Sequence, residues 1–344
     1  MANQPKIDIR TSPYIRKAPT VAEIMRNVVY ALLPIAAYAV YQFGISALAL
    51  MIVTVLSCIG TEHLFCKLSD KKTTIGDASA IITGLLLAMT LPPGFPLWMG
   101  AVAGFVAIAM GKTLFGGIGF NVFNPALVGR AFIQAAFPVS ITTWTPALAT
   151  NRFIEFIPSS LAIPFMKPAA TAQWTAQVSI DGFSGATPLA LMKFQGIMTD
   201  ATDLFLGLSA GSTGETSALL ILLCGAYLVY KKMLDWRIPA AVILGTVISA
   251  ECFYLLDATK YPSPAFMVFS GGLMFAAVFM ASDMVASPVT PMGILVFGLL
   301  VGFLTVIIRL FGGLTEAVMY AILFGNAATP LIESYTQPRI YGGK

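Results

Sequence analysis

One threonine stands in a segment that presents its hydroxyl group for modification. Thr187 follows Gly185 and Ala186, which add almost no side-chain bulk, and it precedes Pro188. Because a proline disfavours the helical conformation for the residue before it, we expect Thr187 to be extended. A hydroxyl placed this way on a loop is accessible to another enzyme. No base stands near it in the sequence, and an unactivated threonine is a poor nucleophile, so self-catalysed chemistry is not expected.

Ionisable residues in or beside apolar stretches form a second group of candidates. Such residues are costly inside a membrane and usually have a function. Near them, Asn121 and Asn124 are interpreted as caps of the segment that they precede, and Glu62 and His63 as interfacial residues at a segment end. The ionisable candidates are Asp77, Arg130, Glu251, Asp283, Glu316 and Glu333.

The composition identifies the class of protein. Of the 344 residues, 57% are apolar and 10% are charged, against about 25% charged in a soluble domain. This excludes a soluble globular domain, a disordered chain, a disulfide scaffold and a nucleic-acid-binding module. The four cysteines form no CxxC pair and His63 is the sole histidine, so we expect no metal site. The chain is predicted to be a multi-pass protein of the lipid bilayer.

Ten apolar segments fall into two groups of five, which predicts an all-α protein of about ten transmembrane helices. The sequence Leu-Phe-Gly-Gly occurs at 114–117 and again at 310–313, each time after the fourth segment of its group and behind a basic residue, Lys112 or Arg309. An odd number of helices in each half gives the halves opposite orientations, as in transporters with inverted repeats. The predicted segments are 27–43, 44–61, 78–91, 97–111, 122–138, 217–230, 238–256, 265–282, 292–308 and 314–332.

Basic residues predict the orientation. They cluster at the N-terminus, after the even-numbered segments and at the C-terminus, which places both termini in the cytoplasm, with Arg309 as the exception. Segments 78–91 and 217–230 are short, which predicts broken helices at a central site unless their boundaries are misplaced. The resulting regions are a cytoplasmic segment (1–26), a first repeat (27–138), an exterior loop with Thr187 (139–216), a second repeat (217–332) and a cytoplasmic tail (333–344).

Several motifs together resemble one family. Asp181, Ser184, Gly185, Ala186 and Thr187 match the acceptor pattern for covalent flavinylation, in which FMN is joined through its phosphate to threonine. These and other stretches are similar to the D subunit of the Rnf electron-transport complex and to its relative, the B subunit of the sodium-pumping NADH:quinone reductase. The chain length fits the Rnf subunit better. The other similar stretches are 73–93, 121–130, 214–217 and 280–291.

The resemblance implies a role in the bacterial inner membrane. FMN on Thr187 would belong to a relay between ferredoxin and NAD that is coupled to Na⁺ or H⁺ movement, within a redox-driven translocase whose other Rnf subunits are partners. A flavin transferase would attach the FMN, and a second, non-covalent flavin such as riboflavin is compatible with the family. Asp77, Asp283 and Glu333 lie in similar stretches and are candidates for an ion path, the alternative being that they cap helices or face headgroups.

Three other interpretations stay open at this point. The chain could be the subunit of the sodium-pumping reductase, since the two families are related. Inverted repeats and broken helices alone fit a solute channel or transporter equally well. An inert membrane scaffold for redox partners would need no function for Thr187. No glycine-rich nucleotide fingerprint is present, so we expect this chain to bind neither NAD nor ATP by itself.

Overall fold

The computed structural model describes residues 20–70, 73–164, 166, 174, 187–207, 211–215, 217–258, 260–313 and 316–338. Within these residues the chain is helical and has no β-strand, which confirms the predicted all-α class. Helices lie in all ten predicted segments. In order, they are α1 Val21–Phe43, α2 Ile45–Leu68, α3 Ser79–Thr90, α4 Leu97–Ile108, α5 Pro125–Ala136, α6 Pro138–Ile141, α7 Pro188–Gln195, α8 Ala201–Leu206, α9 Ala218–Tyr230, α10 Arg237–Leu256, α11 Pro264–Phe269, α12 Leu273–Phe275, α13 Pro291–Phe311 and α14 Val318–Thr336.

Four of these helices are long and apolar enough to cross a membrane by length and composition, namely α1, α2, α10 and α13. The segments predicted to be short are short helices, with 12 residues in α3 and 13 in α9. At 1.5 Å per residue they extend about 18–20 Å, against about 30 Å for the hydrocarbon core. Their shortness is therefore a property of the fold and not an error of boundary.

Four helices begin with the same local structure. Each has proline at its first position, where the missing N–H costs no hydrogen bond, behind a polar residue whose side-chain oxygen accepts from a backbone N–H of the first turn. The sequence thereby sets the start of these helices. The capping residues are Asn124 for α5, Thr187 for α7, Ser263 for α11 and Thr290 for α13.

The segment predicted at 265–282 is broken. Helix α11 ends at Phe269, the chain turns through Ser270, Gly271 and Gly272, and it resumes as α12 and the π-helical stretch Ala276–Met280. Gly271 has a φ of +60°, a left-handed conformation that glycine adopts without strain. The break leaves backbone carbonyl groups of this segment available to other partners.

The helices pack in the same order in both halves of the chain. In the first half α2 packs on α3 and α4, and α4 packs on α5. In the second half α10 packs on the broken segment and on α13, and α13 packs on α14. The two halves meet where α1 contacts α9 and where α5 contacts α14. A continuous apolar core joins them, and its fully buried members include Leu32, Leu50, Leu87, Leu127, Phe275 and Phe297.

Candidate functional site

Thr187 is the N-cap of α7. Its backbone is extended, with φ −69° and ψ 151°, as the following proline predicts. Its Oγ1 accepts a hydrogen bond from the backbone N–H of Ala190 at 3.2 Å. The side chain is only 2% exposed, so the expectation of an accessible hydroxyl on a loop is wrong for this packed conformation. The other residues of the acceptor pattern, Asp181, Ser184, Gly185 and Ala186, lie outside the described residues.

Helix α7 is attached to the second half of the chain at both its ends. Near Thr187, Leu189 packs in an apolar cluster with Leu204 and Phe266. At the other end, the Lys193 ammonium donates to the backbone carbonyls of Arg309, at 3.1 Å, and of Gly312. Burial lowers the pKa of Lys193. Because these carbonyls end α13, Lys193 supplies the positive charge that the C-terminus of a helix favours.

Next to α7 lie four buried charged residues, which we call the arginine–glutamate cluster: Arg130, Glu215, Arg309 and Glu316. Arg130 on α5 lies 3.3 Å from a carboxylate oxygen of Glu316 and 4.0 Å from one of Glu215. Arg309 on α13 instead donates to the backbone carbonyls of Met267, at 2.5 Å, and of Ser270, at 3.0 Å. The carbonyls freed by the break in the second half are thus bound by Arg309.

A second group of polar residues, the lysine cluster, lies in the first half: the buried Glu62, Ser79 and Lys112 and the partly buried Thr74 and Asp77. The Lys112 ammonium donates to Glu62 at 2.7 Å and to the Ser79 hydroxyl at 2.6 Å. Ser79 in turn donates to Asp77, and Thr74 donates to Glu62. Glu62 is 3% exposed, so its interpretation as an interfacial residue is wrong: the ion pair with Lys112 makes burial of the carboxylate possible.

A cavity between the two halves lies beside the lysine cluster. Asn121 donates to Asp283 at 3.3 Å, and Asn124 donates to the carbonyl of Met280 at 3.2 Å. Asn124 caps α5 as predicted, whereas Asn121 binds Asp283 and the carbonyl of Phe123. The polar lining comprises Ser79, Thr83, Lys112, Asn121, Asn124, Ser282 and Asp283, and the apolar lining includes Val28, Ile82, Leu86, Leu228 and Phe279.

The three candidates for an ion path occupy two places. Asp283 lines the cavity, and Asp77 is connected to it through Ser79. Asp77 also accepts from the backbone N–H of Ser79 at 2.8 Å, which is the helix-end role held open as the alternative. Glu333 on α14 accepts from the backbone N–H of Val289 at 2.9 Å, away from the residues that line the cavity. Of the three candidates, Asp283 lines the cavity and Asp77 is hydrogen-bonded to one of its lining residues, whereas Glu333 is neither.

Sequence reasoning did not find the clusters themselves, although one signal pointed to them. Lys112 and Arg309, the basic residues before the two copies of Leu-Phe-Gly-Gly, are both buried, 5% and 2% exposed. Each binds the third segment of its own half, Lys112 at the start of α3 and Arg309 at the break after α11. The residue before each copy of the repeat is therefore a member of one of the two clusters.

Charged residues buried within a bundle of long apolar helices are characteristic of polytopic membrane proteins that move ions or electrons. The sequence profile of the NQR2, RnfD, RnfE family matches residues 8–342. The chain belongs to this family, which confirms the resemblance that its motifs indicated.

The chain is similar to its relatives along nearly their whole length. The chain is 41% identical to the D subunit of the Na(+)-translocating ferredoxin:NAD(+) oxidoreductase complex of Acetobacterium woodii, over 99% of this chain and 96% of the relative. It is 39% identical to the D subunit of the proton-translocating ferredoxin:NAD(+) oxidoreductase complex of Clostridium ljungdahlii, over 97% and 96%. It is 35% identical to the D subunit of the ion-translocating oxidoreductase complex of Halorhodospira halophila, over 97% and 95%.

Proposed function

We propose that this chain is the D subunit of an ion-translocating ferredoxin:NAD⁺ oxidoreductase complex and that it passes electrons through FMN linked by a phosphoester to Thr187. The names of the relatives support the complex. The observation that supports FMN as the cofactor is the position of Thr187, which lies in the acceptor pattern and at the N-cap of α7. The protein acts only as part of the complex, with other subunits as partners and a flavin transferase for its maturation.

The N-cap position of Thr187 suits a phosphoryl group. The N-terminus of a helix carries unpaired N–H groups and the positive end of the helix dipole, both of which favour phosphate oxygens. Bound there, FMN would supply a carrier that takes electrons singly or in pairs. Since the hydroxyl is 2% exposed, we propose that the transferase modifies Thr187 before α7 packs against the second half.

The cavity between the halves is our proposed site for the second, non-covalent flavin, such as riboflavin. Flavin rings need apolar surfaces for their faces and a few fixed polar groups at their edges. Phe279 and Leu86 offer the first, while Asn121 and Asp283 offer the second. We propose Asp77, Asp283 and Glu333 as the ion path, and the ion that it carries is either Na⁺ or H⁺.

We further propose ten membrane segments in two inverted halves, 27–138 and 217–332. The matching order of helix packing in the two halves supports this, as does the matching position of Lys112 and Arg309. With both termini in the cytoplasm, as the basic residues favour, the lysine cluster lies toward the inner side of the bacterial membrane. The arginine–glutamate cluster and Thr187 then lie toward the outer side.

The cofactor is tested by replacing Thr187. The chain is expressed with its flavin transferase, and denaturing electrophoresis of the wild type should give a band that fluoresces under ultraviolet light. The band should be dark in Thr187→Ala and unchanged in Thr202→Ala, a matched control on the exposed side of α8. Mass spectrometry of the peptide containing Thr187 should give a gain equal to an FMN phosphoester, and an unmodified, dark wild type would contradict the proposal.

A further inference from the structure

In the arginine–glutamate cluster, two carboxylates share one guanidinium. Arg309 donates to backbone carbonyls, so both Glu215 and Glu316 depend on Arg130 for direct pairing. Glu316 is the closer, at 3.3 Å, whereas Glu215 stands at 4.0 Å and accepts a long hydrogen bond of 3.4 Å from the backbone N–H of Ser212. Glu215 is therefore the more weakly held carboxylate, although its side chain is only 4% exposed.

Several buried polar atoms of this region have no hydrogen-bond partner among the described residues. Buried polar groups are nearly always bound by protein or by ordered water, so such a concentration indicates a small polar ligand. Donors and acceptors are mixed, which suits water and a proton, while two fixed guanidiniums repel a metal cation. The atoms are Arg130 Nε, Arg309 Nε, Glu316 Oε1 and the hydroxyl oxygen of Ser270.

The cluster lies directly against the helix that carries Thr187. A methyl group built on Gly271 would be 2.7 Å from Leu189, 3.3 Å from Arg309 Nη2 and 3.8 Å from Glu316 Oε1. One built on Gly272 would overlap a carboxylate oxygen of Glu215. Glycine at these two positions thus lets α7 and the charged side chains approach the same break in the second half.

From this arrangement we propose that the arginine–glutamate cluster is a proton-exchange site in which Glu215 takes up a proton when negative charge accumulates near Thr187. The inference rests on the proposed attachment of FMN to Thr187. An electron from the relay of the complex adds one negative charge beside the cluster. One O–H bond of a water molecule on the outer side breaks, its proton forms an O–H bond on Glu215, and hydroxide is left in the solvent. The carboxyl loses that proton when the electron leaves, so charge and protons balance in each cycle.

The surroundings of Glu215 favour this role. Burial, with the Glu316 carboxylate, raises the pKa of Glu215 to about 8, while Arg130 and hydrogen bonds from Ser212 oppose the shift. Above that pH the carboxylate is ionised before reduction and can take up a proton. The charged groups that face it are Arg130 from α5, Arg309 from α13 and Glu316 from the stretch before α14. When Glu215 is protonated, Arg130 and Glu316 remain as a pair of opposite charges. Neither of these two buried groups is then left without a charged partner.

The test is infrared difference spectroscopy on the purified complex at a pH above the pKa of Glu215, comparing oxidised with reduced flavin. Reduction of the wild type should produce a band of a protonated carboxyl group that shifts in D₂O. The band should be lost in Glu215→Gln and kept in Glu155→Gln, an exposed glutamate of the 139–166 region. Glu316→Gln is the second variant, in which Arg130 turns to Glu215, and we expect a weaker band there.

The outcomes separate this inference from the proposed function. Fluorescence of the chain on a denaturing gel reports whether FMN is attached, independently of any proton. A fluorescent wild type without the carboxyl band overturns the proton-exchange site and leaves the covalent flavin standing. A band that persists in both Glu215→Gln and Glu316→Gln also overturns the proton-exchange site. A dark wild-type chain instead contradicts the proposed function, the attachment of FMN to Thr187.

Discussion

The two buried cations before the repeated Leu-Phe-Gly-Gly sequence, Lys112 and Arg309, are stabilised in different ways. Lys112 binds a carboxylate and a hydroxyl of its own half, at 2.7 and 2.6 Å. Arg309 binds two backbone carbonyls of its own half. The nearby Glu316 instead pairs with Arg130, which belongs to the other half. The first site is a local ion pair, and the second joins the two halves of the protein.

This difference follows from the third segment of each half. In the first half α3 is unbroken from Ser79 to Thr90, and the Ser79 hydroxyl accepts a hydrogen bond from the lysine. In the second half the segment breaks at Ser270–Gly272, so backbone carbonyls take the place of a side chain, and the planar guanidinium of arginine can reach two of them. The two copies of the repeat therefore stand beside different sites, an ion pair within one half and a site with a weakly held carboxylate.

The largest effect on stability should come from breaking the ion pair between Lys112 and Glu62. Lys112→Met leaves the Glu62 carboxylate buried without its cation, which costs about 3–5 kcal/mol of the free energy of unfolding. The measurement is the thermal unfolding midpoint of the purified chain in detergent. The double variant Lys112→Met/Glu62→Gln should recover part of the loss, and Lys231→Met, at an exposed lysine, should change the midpoint little. An unchanged midpoint in Lys112→Met would contradict the buried pair.

Exchanging the cation at the second site should have an intermediate effect. Arg309→Lys keeps the charge but replaces a fork that reaches both Met267 and Ser270 by a single ammonium group. Loss of one charge-assisted hydrogen bond costs about 1.5–3 kcal/mol. The same detergent unfolding assay measures it, with Arg237→Lys, at an exposed arginine, as the matched control. An unchanged midpoint in Arg309→Lys would contradict the role of the two-carbonyl contact.

Local sequence signals predicted the local parts of this comparison. Proline after Asn124 and Thr187 predicts capped, extended positions, and both residues have them. The burial of Glu62 and the pairing of Arg130 with Glu316 were not predictable in this way, because the partners are 50 and 186 residues apart. Such contacts depend on how whole helices pack, and no short pattern in the sequence records that packing.

The same limit explains the wrong expectation for Thr187. Its neighbours in the sequence are small, which predicts an open hydroxyl, but α7 as a whole folds back onto the second half through Leu189 and Lys193. The break at Ser270–Gly272 was missed for a related reason. Two glycines within an apolar run are tolerated in membrane helices, so the run alone did not predict the left-handed conformation of Gly271.

The smallest effect should come from detaching α7 from the second cluster. Lys193→Met removes the ammonium that binds the backbone carbonyls of Arg309 and Gly312, but the side chain is half-exposed and solvent screens its charge. We therefore expect a loss of about 0.5–1 kcal/mol, together with faster hydrogen exchange of the α7 amides by mass spectrometry. Exchange in α3, beside Lys112, should stay the same, as it should everywhere in Lys231→Met. Faster exchange in both clusters would show that α7 stabilises the whole bundle and not the second site alone.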